Sequence, residues 1–222
     1  MPSKRGQKHR DDSVKSISKE RVGALSDGVI AIAATIIVLE LKVPEDHSLS
    51  RSDVDHWVLI ILGWLVSFIM ITVMWLENHR QLALASSWTI PLMVVTFAQL
   101  GLISLIPFGS NLIMDQPDKL ASAISFNSIM FANGVCAGLG GLVLARDLHI
   151  QADPTLAVKL ARRSLVQMFI YALIALIGLL GAIFHHPFFG VVLWLSMPLV
   201  AWFWLSSGDK PTASPTHHRT AE

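Results

Sequence analysis

Long apolar runs separated by short polar connections dominate the chain. A helix needs about 20 mostly apolar residues to cross the hydrocarbon core of a bilayer. Six segments reach or approach that length: Val22–Val43, Trp57–Leu76, Trp88–Phe108, Leu120–Ala145, Leu165–Phe184 and Phe188–Ser206. The pattern predicts an all-α integral membrane protein with six transmembrane helices. Only His185, His186 and Pro187 separate the last two runs, so these runs form a hairpin in which proline stops the helix and the histidines sit at the headgroups. Pro107 is expected to end the third span, while Pro91 is tolerated in its first turn.

Charge placement orients these spans. Lys and Arg number seven ahead of the first span, one after the second (Arg80), four between the fourth and fifth (Arg146, Lys159, Arg162, Arg163) and two in the tail (Lys210, Arg219). The other side has only Lys42, Arg51 and Lys119. The positive-inside rule therefore predicts a multi-pass protein of the cell (plasma) membrane with both termini cytoplasmic, which requires an even number of spans. Trp57, Trp75, Trp88 and Trp204 fall near the expected interfaces, whereas Trp64 and Trp194 lie deeper. The expected organisation is a basic cytoplasmic segment over residues 1–20, a membrane domain over residues 21–207, and a disordered cytoplasmic tail over residues 208–222. The N-terminal segment lacks the apolar core of a secretory signal.

Composition agrees with this topology. Of 222 residues, 53% are hydrophobic and 15% charged, against roughly 25% charged in soluble domains. The single cysteine, Cys136, rules out an intrachain disulfide and reads as a small buried hydrophobe. No metal, cofactor, nucleotide or nucleic-acid motif is present, and His217-His218 in the tail reads as incidental.

The first span is unlike a plain anchor, because it carries Ser26, Asp27, Thr35 and two glycines within one apolar helix. An ionised Asp in the hydrocarbon costs at least ~2.5 kcal/mol, so Asp27 should face protein or water. Ser18 suits the N-cap, with Glu20 in the first turn. At 100° per residue Asp27 and Arg21 fall on different faces, so partners for Asp27 are expected at the cytoplasmic end of the second span, in the run 75–80, where Asn78 and His79 reach the same depth. Leu25, Gly28, Ile32, Thr35, Ile36 and Leu39 form one stripe; Asp27, Ala31, Ala34 and Val38 cluster roughly opposite. The second set suits packing within the subunit. Periodicity leaves the first set to lipid, to another helix or to a symmetry axis.

The run Arg21…Leu25-Ser26-Asp27-Gly28 to Thr35…Leu39…Pro44, followed by Trp75…Asn78-His79 and by Ser104-Leu-Ile-Pro-Phe108, resembles the prokaryotic branch of the transmembrane protein 175 family of potassium channels. Leu25 and Ile30 stand where that family commonly has Phe. The resemblance implies a homotetramer of six-helix subunits with the first helix lining a central pore. By position it makes Ile32 the tightest apolar constriction, Ile36 and Leu39 further layers, and Thr35 a hydroxyl ring contributing to selectivity. It makes Arg21, Ser26, Asp27, Trp75, Asn78 and His79 an inter-helix network that holds the pore helix. The implied partners are potassium ions, the lipid bilayer and further copies of the chain, with no cofactor and no resident metal. Consistent with an apolar neck, no Thr-Val-Gly-Tyr-Gly filter loop occurs.

Two other classes compete with this reading. An intramembrane hydrolase would need a nucleophile beside a base; Ser26 and His79 are the nearest pairing, but no Gly-x-Ser-x-Gly elbow accompanies them, so the chain is not read as an enzyme. A secondary transporter of a small ion or solute is the stronger alternative, yet spans one to three and four to six show no repeat. In the fourth span Gly134 to Gly141 places small residues at four-residue spacing, which tight helix packing explains.

Overall fold

The computed structural model describes residues 19–39, 51–85, 88–116, 119–150, 154–184, 193–194 and 196. Among them run α1 (Lys19–Leu39), α2 (Arg51–Leu84), α3 (Ile90–Ser104), α4 (Ile106–Asp115), α5 (Leu120–Ile150) and α6 (Pro154–Ile183). Counting α3 and α4 as one crossing, five helical spans among the described residues are long and apolar enough for a bilayer. The sixth expected span, Phe188–Ser206, lies outside the described residues except for Leu193, Trp194 and Ser196, and so do the segments 1–18 and 208–222.

Several boundaries differ from those expected. The second helix continues past Leu76 to Leu84, so Glu77 to Gln81 form polar helical turns at its end. The fifth begins at Pro154, well before Leu165. Arg146, Lys159, Arg162 and Arg163 accordingly stand on the ends of α5 and α6 rather than in a loop. Pro107 interrupts the third span instead of ending it: α3 stops at Ser104 and α4 resumes at Ile106. Proline has no N–H to offer the carbonyl one turn back, and its ring crowds that carbonyl. Leu105 takes up the break, its N–H donating to Leu102 at 3.1 Å while its carbonyl accepts from Gly109 at 3.0 Å.

α5 is the central element, packed along most of its length on α6 and also against α2, α3 and α4. Its glycines make that possible. A Cβ at Gly134 would collide with the Tyr171 ring, one at Gly138 with Met168 and one at Gly141 with Ser164, all on α6. Gly140 faces α2 instead, with the Gln81 amide against it. Without a hydrophobic drive between helices in lipid, such close backbone approach and the dispersion contacts it brings hold the pair together. Gln81 closes the α2–α5 contact by donating from Nε2 to the Ala137 carbonyl at 2.8 Å and to Glu77 at 3.0 Å. Glu77 also pairs with Arg80 at 3.0 Å. The core between α1, α2, α4 and α5 is filled by Ile37, Met70, Ile71, Ile106, Phe126 and Met130.

Candidate functional site on the first helix

α1 presents three faces. Val22, Ser26, Ile30, Ala33 and Ile37 recur at helical spacing and are buried, fixing α1 against α2, α3 and α4. On one flank of this seam, Leu25, Ile32, Ile36 and Leu39 are 50%, 59%, 40% and 78% exposed, with exposed Thr35 among them. On the other flank lie Asp27, Ala31, Ala34 and Val38.

The inward seam was not singled out by the two-stripe reading of the sequence, which assigned subunit packing to the Asp27 face. Ser26 and Ala33 mark it, since small residues there let α1 approach its neighbours closely. Ser26 is completely buried and its Oγ has no hydrogen-bond partner among the described residues. Ile30 fills the same seam, so a smaller aliphatic group than Phe packs beside Ser26.

The Asp27 carboxylate accepts a hydrogen bond from Trp75 Nε1 at 2.8 Å, across 48 positions of sequence. Trp75 in turn lies against the His79 ring, with centroids 5.6 Å apart. Asn78, on another side of the same turn, is buried, whereas His79 and Arg21 are exposed. The structure thus brings together Asp27, Trp75 and His79, and records no hydrogen bond from Ser26 into that group.

Thr35 uses its hydroxyl proton on its own helix, donating to the Ile32 carbonyl at 2.9 Å. What this hydroxyl offers outward is its remaining lone pairs. The exposed flank therefore consists of two isoleucines and two leucines with one hydroxyl oxygen acceptor among them. Among the described residues no cluster of His, Cys, Asp or Glu is arranged to hold a metal.

A second polar contact involves Trp194, in the run expected as a sixth span. Trp194 is fully buried, donates from Nε1 to Asn127 Oδ1 at 3.1 Å, and meets the Tyr171 ring edge-on at 5.5 Å. Sequence reading noted Trp194 only as lying deep; an Asn in a neighbouring span was the signal for its partner.

Residues 21–107, which include α1 and its contacts on α2 and α3, match the family described as the endosomal/lysosomal potassium channel TMEM175. Over these residues the chain is similar to the TMEM175 family. A potassium channel of Chamaesiphon minutus is 33% identical over 119 residues, covering 50% of this chain and 59% of that relative, so the matched part spans less than two thirds of its length. A potassium channel of Streptomyces collinus is 25% identical over 159 residues, covering 66% of this chain and 74% of the relative. In structure, the TMEM175 homolog from Chamaesiphon minutus, described as a lysosomal potassium-selective channel, aligns with a TM-score of 0.65. At 23% identity the alignment covers 82% of this chain and 97% of that one, so the two share a fold. The matched family and these relatives are described as potassium channels, not as enzymes.

Proposed function

We propose that this chain forms a potassium-conducting channel in the cell membrane, assembled as a homotetramer of six-helix subunits with both termini cytoplasmic and α1 lining a central pore. The observation that carries the proposal is the exposed Ile32–Thr35–Ile36–Leu39 flank on a helix whose adjoining face is locked into the subunit. A helix held in this way has a fixed rotation, so four copies would direct the same side chains at one axis.

Four Ile32 side chains meeting on that axis make an apolar neck that empties of water when narrow and conducts when slightly wider. Ile36 and Leu39 extend it by two further layers. Thr35 supplies four hydroxyl oxygens beside the neck, replacing part of a cation's water. A large, weakly hydrated ion such as potassium loses less on shedding that water than sodium does, so selectivity is expected to be real but modest. Arg21, Ser26, Asp27, Trp75, Asn78 and His79 hold the helix rather than touch the ion. The hydrogen bond from Trp75 to Asp27 supports this role, because it pins α1 to α2 one turn ahead of the neck.

Purified chain in liposomes should pass potassium faster than sodium, with unitary currents far above any alternating-access turnover. Ile32→Asn should wet the neck, raising basal flux and lowering the potassium-to-sodium ratio. An unchanged flux and ratio in that variant would place Ile32 against lipid and end the proposal.

A further inference from the structure

On the flank of α1 turned roughly 140° away from Ile32, a lateral groove of about 200 Å³ lies between α1 and α2. Its walls are Ile30, Ala31, Ala34, Ile71 and Thr72, whose hydroxyl is taken up by the Phe68 carbonyl of its own helix, and Asp27 and Trp75 lie together at one end. A bare apolar groove at membrane depth is ordinarily filled by a lipid chain. This one ends on a carboxylate of which one oxygen accepts from Trp75 Nε1 at 2.8 Å, and a carboxylate has lone pairs on both oxygens. The indole ring beside it is the best aromatic partner for a cation. A neutral chain would leave the acid without a counter-charge in a low-dielectric setting, where charges are costly unless paired.

We propose that this groove is a binding site for a single-chain alkylammonium cation entering from the bilayer, with the ammonium group donating to Asp27 against the Trp75 ring and the alkyl chain lying along Ile30, Ala31, Ala34 and Ile71. Charge complementarity selects the head group. Size selects one chain, since the groove is smaller than the roughly 300–1,000 Å³ of clefts that enclose drug-sized ligands. The site does not depend on α1 lining a pore, because its walls belong to one subunit.

Quenching of tryptophan fluorescence by 8-bromooctylammonium, against 8-bromooctanol, tests this in full-length chain held in phosphatidylcholine nanodiscs, with empty nanodiscs correcting for partition. Subtracting the signal of Trp75→Phe isolates quenching at Trp75. The ammonium compound should saturate at a concentration about tenfold or more below the alcohol, and Asp27→Asn should bring the two together. Ala31→Leu fills the groove without touching the carboxylate and should weaken both, which keeps the test decisive if Asp27→Asn fails to fold. Equal half-saturation of amine and alcohol would mean a groove for apolar chains only and would overturn the proposal, as would an amine preference that survives Asp27→Asn, or no saturable quenching. Because the readout is binding, a chain that conducts no ions would leave this result standing.

Discussion

α1 and α5 both place small residues among large aliphatic ones, yet they use them in opposite ways. On α5 every glycine from Gly134 to Gly141 has a side chain of α2 or α6 lying where its Cβ would be. On α1 a Cβ at Gly23 or Gly28 would meet nothing within 4 Å. A glycine inside a helix costs roughly 0.5–1 kcal/mol relative to alanine, a cost offset on α5 by contacts within the chain. On α1 no contact among the described residues offsets it. The helix that carries Asp27 and the exposed isoleucines therefore keeps its outer flanks uncovered among these residues.

The largest effect should come from filling α5. Gly134→Leu drives a side chain into the Tyr171 ring, and with it into the buried Trp194 that meets that ring. Overpacking typically costs 1–3 kcal/mol, and more where two helices must separate. The variant should lose its monodisperse, detergent-extracted peak or melt many degrees lower, and Tyr171→Ala in the same chain should restore part of the loss. An unaffected Gly134→Leu would mean that α5 and α6 are not in this register.

Gly28→Leu is the matching change on α1. Its side chain enters open space in the subunit, so secondary structure and monomer extraction should be kept. In the tetrameric reading it falls on the pore-facing stripe, and crosslinking should show fewer tetramers or liposomes slower flux. If Gly28→Leu destabilises the chain as severely as Gly134→Leu, the contrast between the two helices is wrong.

Between these in mechanism, though smaller in size, is the contact of Asn127 with Trp194. Asn127→Ala leaves a buried indole N–H without its acceptor, which should cost about 1–3 kcal/mol. Thermal unfolding followed by Trp fluorescence would measure it, with Asn127→Asp, which retains an oxygen acceptor, as the comparison.

These elements also show which parts of the molecule could be read from residues alone. Apolar run length was enough to find the spans, since backbone groups in lipid leave the helix as the default. Run length said nothing about where helices continue into water, so α2 and α6 were drawn short: Glu77 to Leu84 and Pro154 to Ser164 are polar enough to resemble connections. Pro107 was legible as a disruption but not as a restart, because Gly109, Ser110 and Asn111 after it are weak helix formers that resemble a connection, and packing on α5 makes them helical. Around the site, a wheel separated the Ile32 flank from the Asp27 flank. It could not show that the inward direction lies between them, along Ser26, Ile30 and Ala33, since all three faces are largely apolar in a membrane helix. Trp75 as the partner of Asp27 came from resemblance; the donor and the 2.8 Å distance came from the structure.

The smallest change that still sharpens the comparison is Thr35→Val. The side chain is exposed and its hydroxyl bonds only within its own helix, to the Ile32 carbonyl, so losing it should move stability by no more than about 0.5 kcal/mol. Shape is nearly conserved, and the neck formed by Ile32 should gate as before. What disappears is the oxygen acceptor of the exposed flank. Reversal potentials in liposome patches should then show a potassium-to-sodium ratio several-fold closer to one, with unitary conductance little altered. Thr35→Ser, which keeps the hydroxyl and drops the methyl, should hold the ratio near that of the parent chain. If valine and serine behave alike, the hydroxyl is only a helix-surface group, and selectivity must be sought in the aliphatic layers of Ile32, Ile36 and Leu39 by themselves.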